Sequence, residues 1–414
     1  MIINANIFPG EGYADPHAVI HDGRVYLFCG RDLSTRIEDF CRMHKWSIIS
    51  SNDLIHWRYE ADILPKDTYI GEKNHCFAGH IVKKDDTFYW YFSNLTYSIG
   101  VMTSKSPTGP FVDALGKPLI PDKFAATKSY DPCVYEEDGK YTLFFGAGKY
   151  FCVDLAEDMI SVDGPPSAID VLDANGKNVG MGDKSTVFKH NDKYYLASGN
   201  KYAMADTLKG PYTFIGTFPG GHHNDFFIFN GKPYLSYEMH DVNIYFRGIA
   251  ITSLEFAEDG KLVLHPDNLS DVFTYRYWDF SSSTDFWFLT NGADATHVDD
   301  GIAYELNSYV GLRSPVFPRL VMDKDYVLKI TLENYNADVK LKVLIDTVRS
   351  MRGFAKDPNI FTHSTTIELA KGTQTYDIIE THEADAHLRC IRIFGAGPED
   401  MGEISIKNIE LKAK

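Results

Sequence analysis

Five stretches of the chain share one alternation of apolar and polar positions. ADPHAVIHDGRVYLFCG begins at Ala14, AGHIVKKDDTFYWYFS at Ala78, YDPCVYEEDGKYTLFFG at Tyr130, GDKSTVFKHNDKYYLASG at Gly182 and HHNDFFIFNGKPYLSY at His222. Each reads as an apolar strand, a two-residue turn of the Asp-Gly, Asn-Asp or Asn-Gly kind, and an aromatic strand, which is the pattern of a β-hairpin. Aligning the turns makes Asp15, Ala78, Asp131, Lys184 and His223 equivalent, at intervals of about 63, 53, 53 and 39 residues, the range of propeller repeats. WSIISSNDLIHW, IGVMTSKSPTGPF, YFCVDLAEDMI, YAMADTLKGPYTF and GIAITSLEFAEDGKL follow the hairpins and read as third and fourth strands. Four strands per unit and five units predict a five-bladed β-propeller over residues 1–270, closed radially so that no long edge is exposed.

The repeat stops near Leu264, and HPDNLSDVFTYRYWDF reads as a junction. From about Trp278 the hairpin motif gives way to plain alternation in GIAYELNSYVGL, DYVLKITLENY, VKLKVLI, STTIELAK, LRCIRIFG and EISIKNIELK. That spacing predicts a second all-β domain, a β-sandwich of jelly-roll type over residues 276–414. Segments of helical period are scarce throughout.

Composition narrows the function classes. With 25 Tyr and 27 Phe in 414 residues, the chain carries the aromatic load of a strand-rich protein. A formal net charge of −16 argues against a nucleic-acid or anionic-membrane partner, since phosphate binding needs a basic surface; a neutral sugar is compatible with it. Six cysteines lack Cys-x-x-Cys spacing, and four lie in apolar runs, as free core thiols do. No run reaches the roughly 18 to 20 apolar residues of a membrane span. The first residues lack the regions of a secretory leader. The chain is therefore expected to be cytoplasmic, or periplasmic or secreted if a leader has been removed. The pattern does not fix an oligomeric state.

In a propeller the first strand of every blade lines the central channel, so residues at equivalent strand starts converge in space. Here these are Asp15, Asp131, Asp183 beside Lys184, and His223. Several carboxylates around one funnel repel one another, so at least one is expected to hold its proton near neutral pH, as a general acid must. Asp before Pro is a common turn residue; recurrence at the same place in blades one and three favours chemistry for Asp15 and Asp131.

The hairpin blocks, the SNDLIHW element, IGVMTSKSPTGPF and FRGIAITSLEFAEDGKL together resemble glycoside hydrolase family 43 over roughly residues 10–265. The resemblance implies that Asp15 is the general base, that Asp131 orients and tunes the acid, and that a fourth-blade Glu is the acid. Where the family has Glu-Gly-Pro this chain has Asp183-Lys184-Ser185, so the acid is Asp183, one methylene short, or Glu238 from SYEMHD. His223 resembles the family's histidine near the propeller axis, where calcium is the first ion to consider. Arg247 matches an arginine that contacts bound sugar, a surface ion pair being the plain alternative. His80, Phe77, Trp90 and Tyr130 are candidate walls for sugar rings, which stack on aromatic faces.

The resemblance implies inverting hydrolysis without an organic cofactor, with two carboxyls about 6.5–9.5 Å apart to admit a water. It implies release of terminal α-L-arabinofuranose or β-D-xylose from plant-type glycans, or a galactose-type sugar. Two other readings stay open: a propeller that binds carbohydrate without cutting it, and transfer or phosphorolysis at the same kind of site. The C-terminal sandwich resembles carbohydrate-binding jelly rolls in outline, and a bracing role is equally compatible with it.

Overall fold

The computed structural model describes residues 7–8, 11–34, 36–54, 57–183, 185–217, 223–243, 245–264, 275–281, 284, 287–290, 293–314, 326–336, 338–349, 360–380 and 386–413. Most of the expected junction, 265–274, lies outside them, as do Lys184 and the glycines before His223. The described residues are almost wholly β-structure, with two short 3-10 turns at Ile37–Asp39 and Pro65–Asp67. None of their helices is long and apolar enough to cross a membrane. The chain divides into two compact units, one dominated by Glu11–Ile55 and Tyr59–Leu269, the other by Ser270–Lys414.

The first unit contains five antiparallel meanders, each built from consecutive strands. Blade one is Tyr13–His21, Arg24–Asp32, Met43–Ser51 and Arg58–Ile63; blade two is Cys76–Lys84, Thr87–Asn94, Ser98–Ser104 and Val112–Asp113. Blade three is Cys133–Glu137, Lys140–Ala147, Lys149–Leu155 and Val162–Ile169. Blade four is Ser185–His190, Lys193–Ser198, Lys201–Ala205 and Tyr212–Thr217, with Val171–Leu172 added in parallel at its outer edge. Blade five is Asn224–Phe229, Lys232–Asn243, Phe246–Phe256 and Leu262–Leu264. The five first strands neighbour one another in order, and the first strand of blade five lies against that of blade one, which closes the ring of a five-bladed propeller.

Local chemistry dictates the repeat. The first turn residue of every hairpin is left-handed, with φ of 47° at Asp22, 53° at Asp85, 52° at Asp138, 52° at Asn191 and 49° at Asn230. Asp and Asn tolerate that region best among non-glycine residues, and turns of this hand match the twist of the paired strands. Between blades, large aromatics fill the core: Phe28, Trp46, Trp90 and Phe92 pack between blades one and two, and Phe144, Tyr150, Tyr194 and Tyr212 between three and four.

Trp90, expected as a sugar wall, is 0% exposed and packs against Phe28 and Trp46. Its strand is sandwiched between neighbouring blades, so this ring belongs to the core and offers no face to a ligand. Gly79 makes room for it: a Cβ there would lie 2.4 Å from the indole and 2.5 Å from the Tyr91 carbonyl oxygen. Gly79→Ala is accordingly expected to cost about 1–3 kcal/mol of stability through overpacking, read as a lowered unfolding midpoint in urea.

The second unit consists of two five-stranded paths. One runs Thr296–Val298, Gly301–Leu306, Gly402–Ala413, Tyr326–Asn334, Gly372–Glu380, with Tyr275–Trp278 also paired to Gly402–Ala413. The other runs Phe288–Leu289, Leu312–Arg313, Ala386–Gly395, Lys340–Arg349, Ile360–Glu368. Tyr326–Asn334 alternates strictly between buried and half-buried positions. Its Leu328, Ile330 and Leu332 share one core with Leu341, Val343, Ile345, Ile391 and Ile393 of the other sheet, which makes the unit a β-sandwich.

Candidate active site

Asp15 lies at a β-bulge between Ala14 and His17, where the pairing of the first two strands of blade one shifts register. Its φ is 52°, and Asp131, at the equivalent place in blade three, has φ of 53°. Bulges and left-handed backbone re-aim a side chain, and both aspartates are buried rather than spread on the blade surface. Ser93 of blade two fixes Asp131 from behind: its hydroxyl accepts from the Asp131 N–H at 2.9 Å and donates to the Ala78 carbonyl at 2.6 Å.

His223 joins these carboxylates. Its Nδ1 contacts Asp15 Oδ1, and its Nε2 faces Asp183 Oδ1 at 3.5 Å and Asp131 Oδ2 at 4.0 Å. Burial disfavours a charged imidazole, but the three carboxylates outweigh it and raise His223 well above the ordinary histidine value. The site therefore holds an imidazolium between the base candidate on one side and Asp183 on the other. Asp183 is the open member, its side chain 51% exposed, and its hydrogen bond from His223 holds its carboxyl below the usual range.

Glu238 reaches the same place from the second strand of blade five, where its N–H donates to the His223 carbonyl at 2.7 Å. It is buried and hydrogen-bonded to Asp15. Burial, together with the nearby Asp15 charge, pushes Glu238 up to about 8 despite Arg247 and His223. Burial also opposes charge on Asp15, but His223 and Arg247 prevail and keep that carboxyl well below the usual range. Below about pH 8 the pair thus carries one proton, held on Glu238 and shared toward Asp15.

Arg247 is neither a surface ion pair nor aimed at open solvent. Its Nη1 lies 2.8 Å from Glu238 Oε2 and 3.3 Å from Asp15 Oδ1, while Nε and Nη2 grip Asp32 at 3.0 and 2.7 Å. Asp32 escaped sequence reasoning; it merely ends the strand RVYLFCGRD, and no motif marks it.

Of the other candidates, Tyr130 is buried beside the site, its hydroxyl raised by burial and by Asp131 and Asp183. Phe77 is half-buried against the core of blades one and two, and its carbonyl accepts from the Trp46 indole at 2.8 Å. His80 lies within a second buried group with His17 and Asp225: Asp225 is 3.5 Å from His17 Nδ1 and 3.6 Å from His80 Nε2. Asp225 also accepts from the Ala18 N–H at 2.9 Å and the Thr186 hydroxyl at 3.0 Å. The His80 ring meets the Val134 N–H at Nδ1 and Asp225 at Nε2; burial opposes charge on it, but Cys133 and Asp225 prevail and raise it to about 9. His80 therefore braces the channel rather than facing a sugar.

Three groups bring potential metal donors within 4.8 Å of one another: Asp15, His223 and Glu238; Asp131, Asp183 and His223; and His17, His80 and Asp225. Calcium takes six to eight oxygen ligands. Both nitrogens of His223 are turned to carboxylates, and the deeper group offers two nitrogens and one carboxylate. These sets fit calcium poorly as direct ligands.

Comparison with known proteins agrees with this geometry. The family profile of "Glycosyl hydrolases family 43" matches residues 5–214. An arabinoxylan arabinofuranohydrolase of Paenibacillus polymyxa is 26% identical over 334 residues, 63% of this chain and 51% of its own length, so the chain spans about half of that relative. A xylosidase/arabinosidase of Bacteroides ovatus is 25% identical over 62% of this chain and 96% of its own. In fold, a family 43 arabinoxylan arabinofuranohydrolase from Bacillus subtilis, solved with cellotetraose, superposes with a TM-score of 0.57 at 18% identity, covering 100% of this chain and 97% of its own. With the repeat, the ring of blades and the profile match over half its length in agreement, the chain belongs to glycosyl hydrolases family 43.

Proposed function

We propose that this protein is an inverting glycoside hydrolase that releases terminal α-L-arabinofuranose or β-D-xylose from plant-type glycans. The observation that carries the reading is the pair of buried aspartates, Asp15 and Asp131, held in the same left-handed conformation around His223 with the open carboxyl of Asp183 beyond it. The names of the relatives, which act on arabinoxylan and xylosides, support the substrate class.

In this reading Asp15, kept ionised by His223 and Arg247, takes a proton from water as that water attacks the anomeric carbon. The acid must protonate the leaving oxygen from the other side of the sugar. Glu238 holds a proton but is buried and hydrogen-bonded to the base itself, which sets it apart from an acid that must act across the sugar from that base. Asp183, which lies across His223 from Asp15 and is the exposed carboxyl of the group, is the acid in this reading, though it is ionised while His223 bonds it. A leaving oxygen that displaces this contact and excludes water raises the Asp183 carboxyl toward the neutral form, which is the form that donates. Glu238 then serves the base, as the partner that keeps a second negative charge away from Asp15. Asp131, near His223 Nε2, limits how far that imidazolium can drift toward Asp183.

Leaving-group dependence separates the two acids. A dinitrophenolate departs without a proton, whereas the hydroxyl of a second sugar does not. Asp183→Asn is expected to lower kcat on a disaccharide by about 10²–10⁴-fold and on a dinitrophenyl glycoside far less. Glu238→Gln should retain most of its kcat at pH 6–7 on both. The opposite pattern moves the acid to Glu238. A wild type that hydrolyses no arabinoside, xyloside or galactoside yet binds one of them by calorimetry replaces the hydrolase reading with that of a binding propeller.

A further inference from the structure

Blades one and five come from the two ends of the propeller sequence, and no strand is exchanged between them. Among the side-chain pairs that span their seam, that of Asp32 and Arg247 lies beside the reacting groups. Asp32 ends the second strand of blade one, and Arg247 lies near the start of the third strand of blade five. Asp32 Oδ2 accepts from the Arg247 backbone N–H at 2.8 Å and from Nε at 3.0 Å; Oδ1 accepts from Nη2 at 2.7 Å. Both residues are buried from bulk water, the Arg247 side chain 16% and that of Asp32 3% exposed.

The clamp has a geometric consequence. A guanidinium has five N–H donors in a rigid plane, and a carboxylate that takes one edge fixes the direction of the other. Nη2, the nitrogen that Asp32 Oδ1 holds, also lies 3.2 Å from Met43 Sδ. The remaining Nη1 is shared between Glu238 Oε2 at 2.8 Å and Asp15 Oδ1 at 3.3 Å. Without Asp32, nothing in this set prevents the guanidinium from swinging into a two-edged pair with Asp15 or Glu238. Such a pair would pull Asp15 off the line on which it meets water.

Building on the hydrolase reading above, we propose that Asp32 is a positioning residue for the reaction: by clamping Arg247 across the seam of blades one and five, it fixes the orientation of the Asp15 carboxylate. Asp32 touches neither substrate nor water in this role; it acts only through Arg247.

The experiment is a double-mutant cycle of Asp32→Asn and Arg247→Lys on a nitrophenyl glycoside that the wild type hydrolyses, with kcat and KM determined separately for all four proteins. Asp32→Asn keeps the shape but loses the charge; its kcat is expected to fall on the order of tenfold or more while KM changes less than about threefold. Adding Asp32→Asn to Arg247→Lys is expected to cost little further, because the residue through which it acts is already displaced. Wild-type kcat in Asp32→Asn, a loss confined to KM, or losses that multiply independently would each overturn the proposal while leaving hydrolysis established. If Asp32→Asn does not fold, Asp32→Glu takes its place in the cycle. It retains the charge but moves the carboxylate by one methylene, and the same split of kcat against KM is expected, wild-type kcat again overturning the proposal. A wild type silent on every glycoside removes the underlying reading instead, a result distinct from any of these.

Discussion

Asp15→Asn is expected to lower kcat by about 10²–10⁴-fold on any glycoside the wild type cleaves, while leaving the protein folded. Asparagine is the informative replacement, because Asp15 has φ of 52° and Asn accepts that backbone where Ala would add strain. The amide matches the carboxylate in shape but cannot take a proton from water. Its loss of charge should be tolerated, since Arg247 retains Asp32 and Glu238, and His223 retains Asp131 and Asp183. Without the Asp15 charge, Glu238 is relieved of a like-charge neighbour and ionises more readily, which offsets the lost anion. The check is steady-state hydrolysis with unfolding followed alongside, and nuclear magnetic resonance of the first-formed sugar to establish inversion in the wild type. More than about a tenth of wild-type kcat, against the 10²-fold minimum expected of a general base, would place the base elsewhere.

Arg247→Met is expected to act mainly on stability. Removing one partner of a buried ion pair leaves the other uncompensated, at a cost of about 3–5 kcal/mol. Here the guanidinium lies among Asp15, Asp32 and Glu238. The pH dependence has a definite sign. Asp15 is held below its unfolded value in part by Arg247, so the stabilisation it contributes is present above the ordinary aspartate range near 4 and fades as pH falls through the folded value. Glu238, pushed up to about 8, is largely protonated at neutrality and loses little with the arginine. The gap between wild type and variant in urea unfolding should therefore stay near its full size from pH 7 down to about pH 4 and narrow only below that, as Asp15 protonates. A gap that is constant with pH would mean that Arg247 stabilises by packing its stem rather than by its charge.

What could be read from the sequence depended on repetition. Asp15 and Asp131 were legible because the same Asp-Pro sits one strand before the same turn in two blades, and the five left-handed turn residues made the alignment secure. The sandwich strands were legible because alternation such as that of Tyr326–Asn334 is strict where one face meets the core. Trp90 was misjudged because an aromatic strand between two blades is buried on both faces, and period-two alternation then carries no sign of which side a ring takes. Arg247 was expected to contact sugar or to form a surface ion pair; two of its three carboxylate partners, Asp15 and Asp32, lie on another blade, more than 200 residues away. Asp32 and Asp225 escaped for the same reason. Their chemistry exists only between blades, and no local pattern encodes a contact that ring closure creates.

That closure has a consequence for how the protein comes into being. Asp15 leaves the ribosome roughly 200 residues ahead of His223, Glu238 and Arg247, which arrive only with blade five. Domains generally fold as units during translation, amino-terminal portions first. Four finished blades would therefore display Asp15 and Asp131 with neither imidazolium nor guanidinium to hold them, and hydrolytic competence would appear in one step as the fifth meander docks. Any fragment that ends before Phe246 should be catalytically dead, however well its blades are formed.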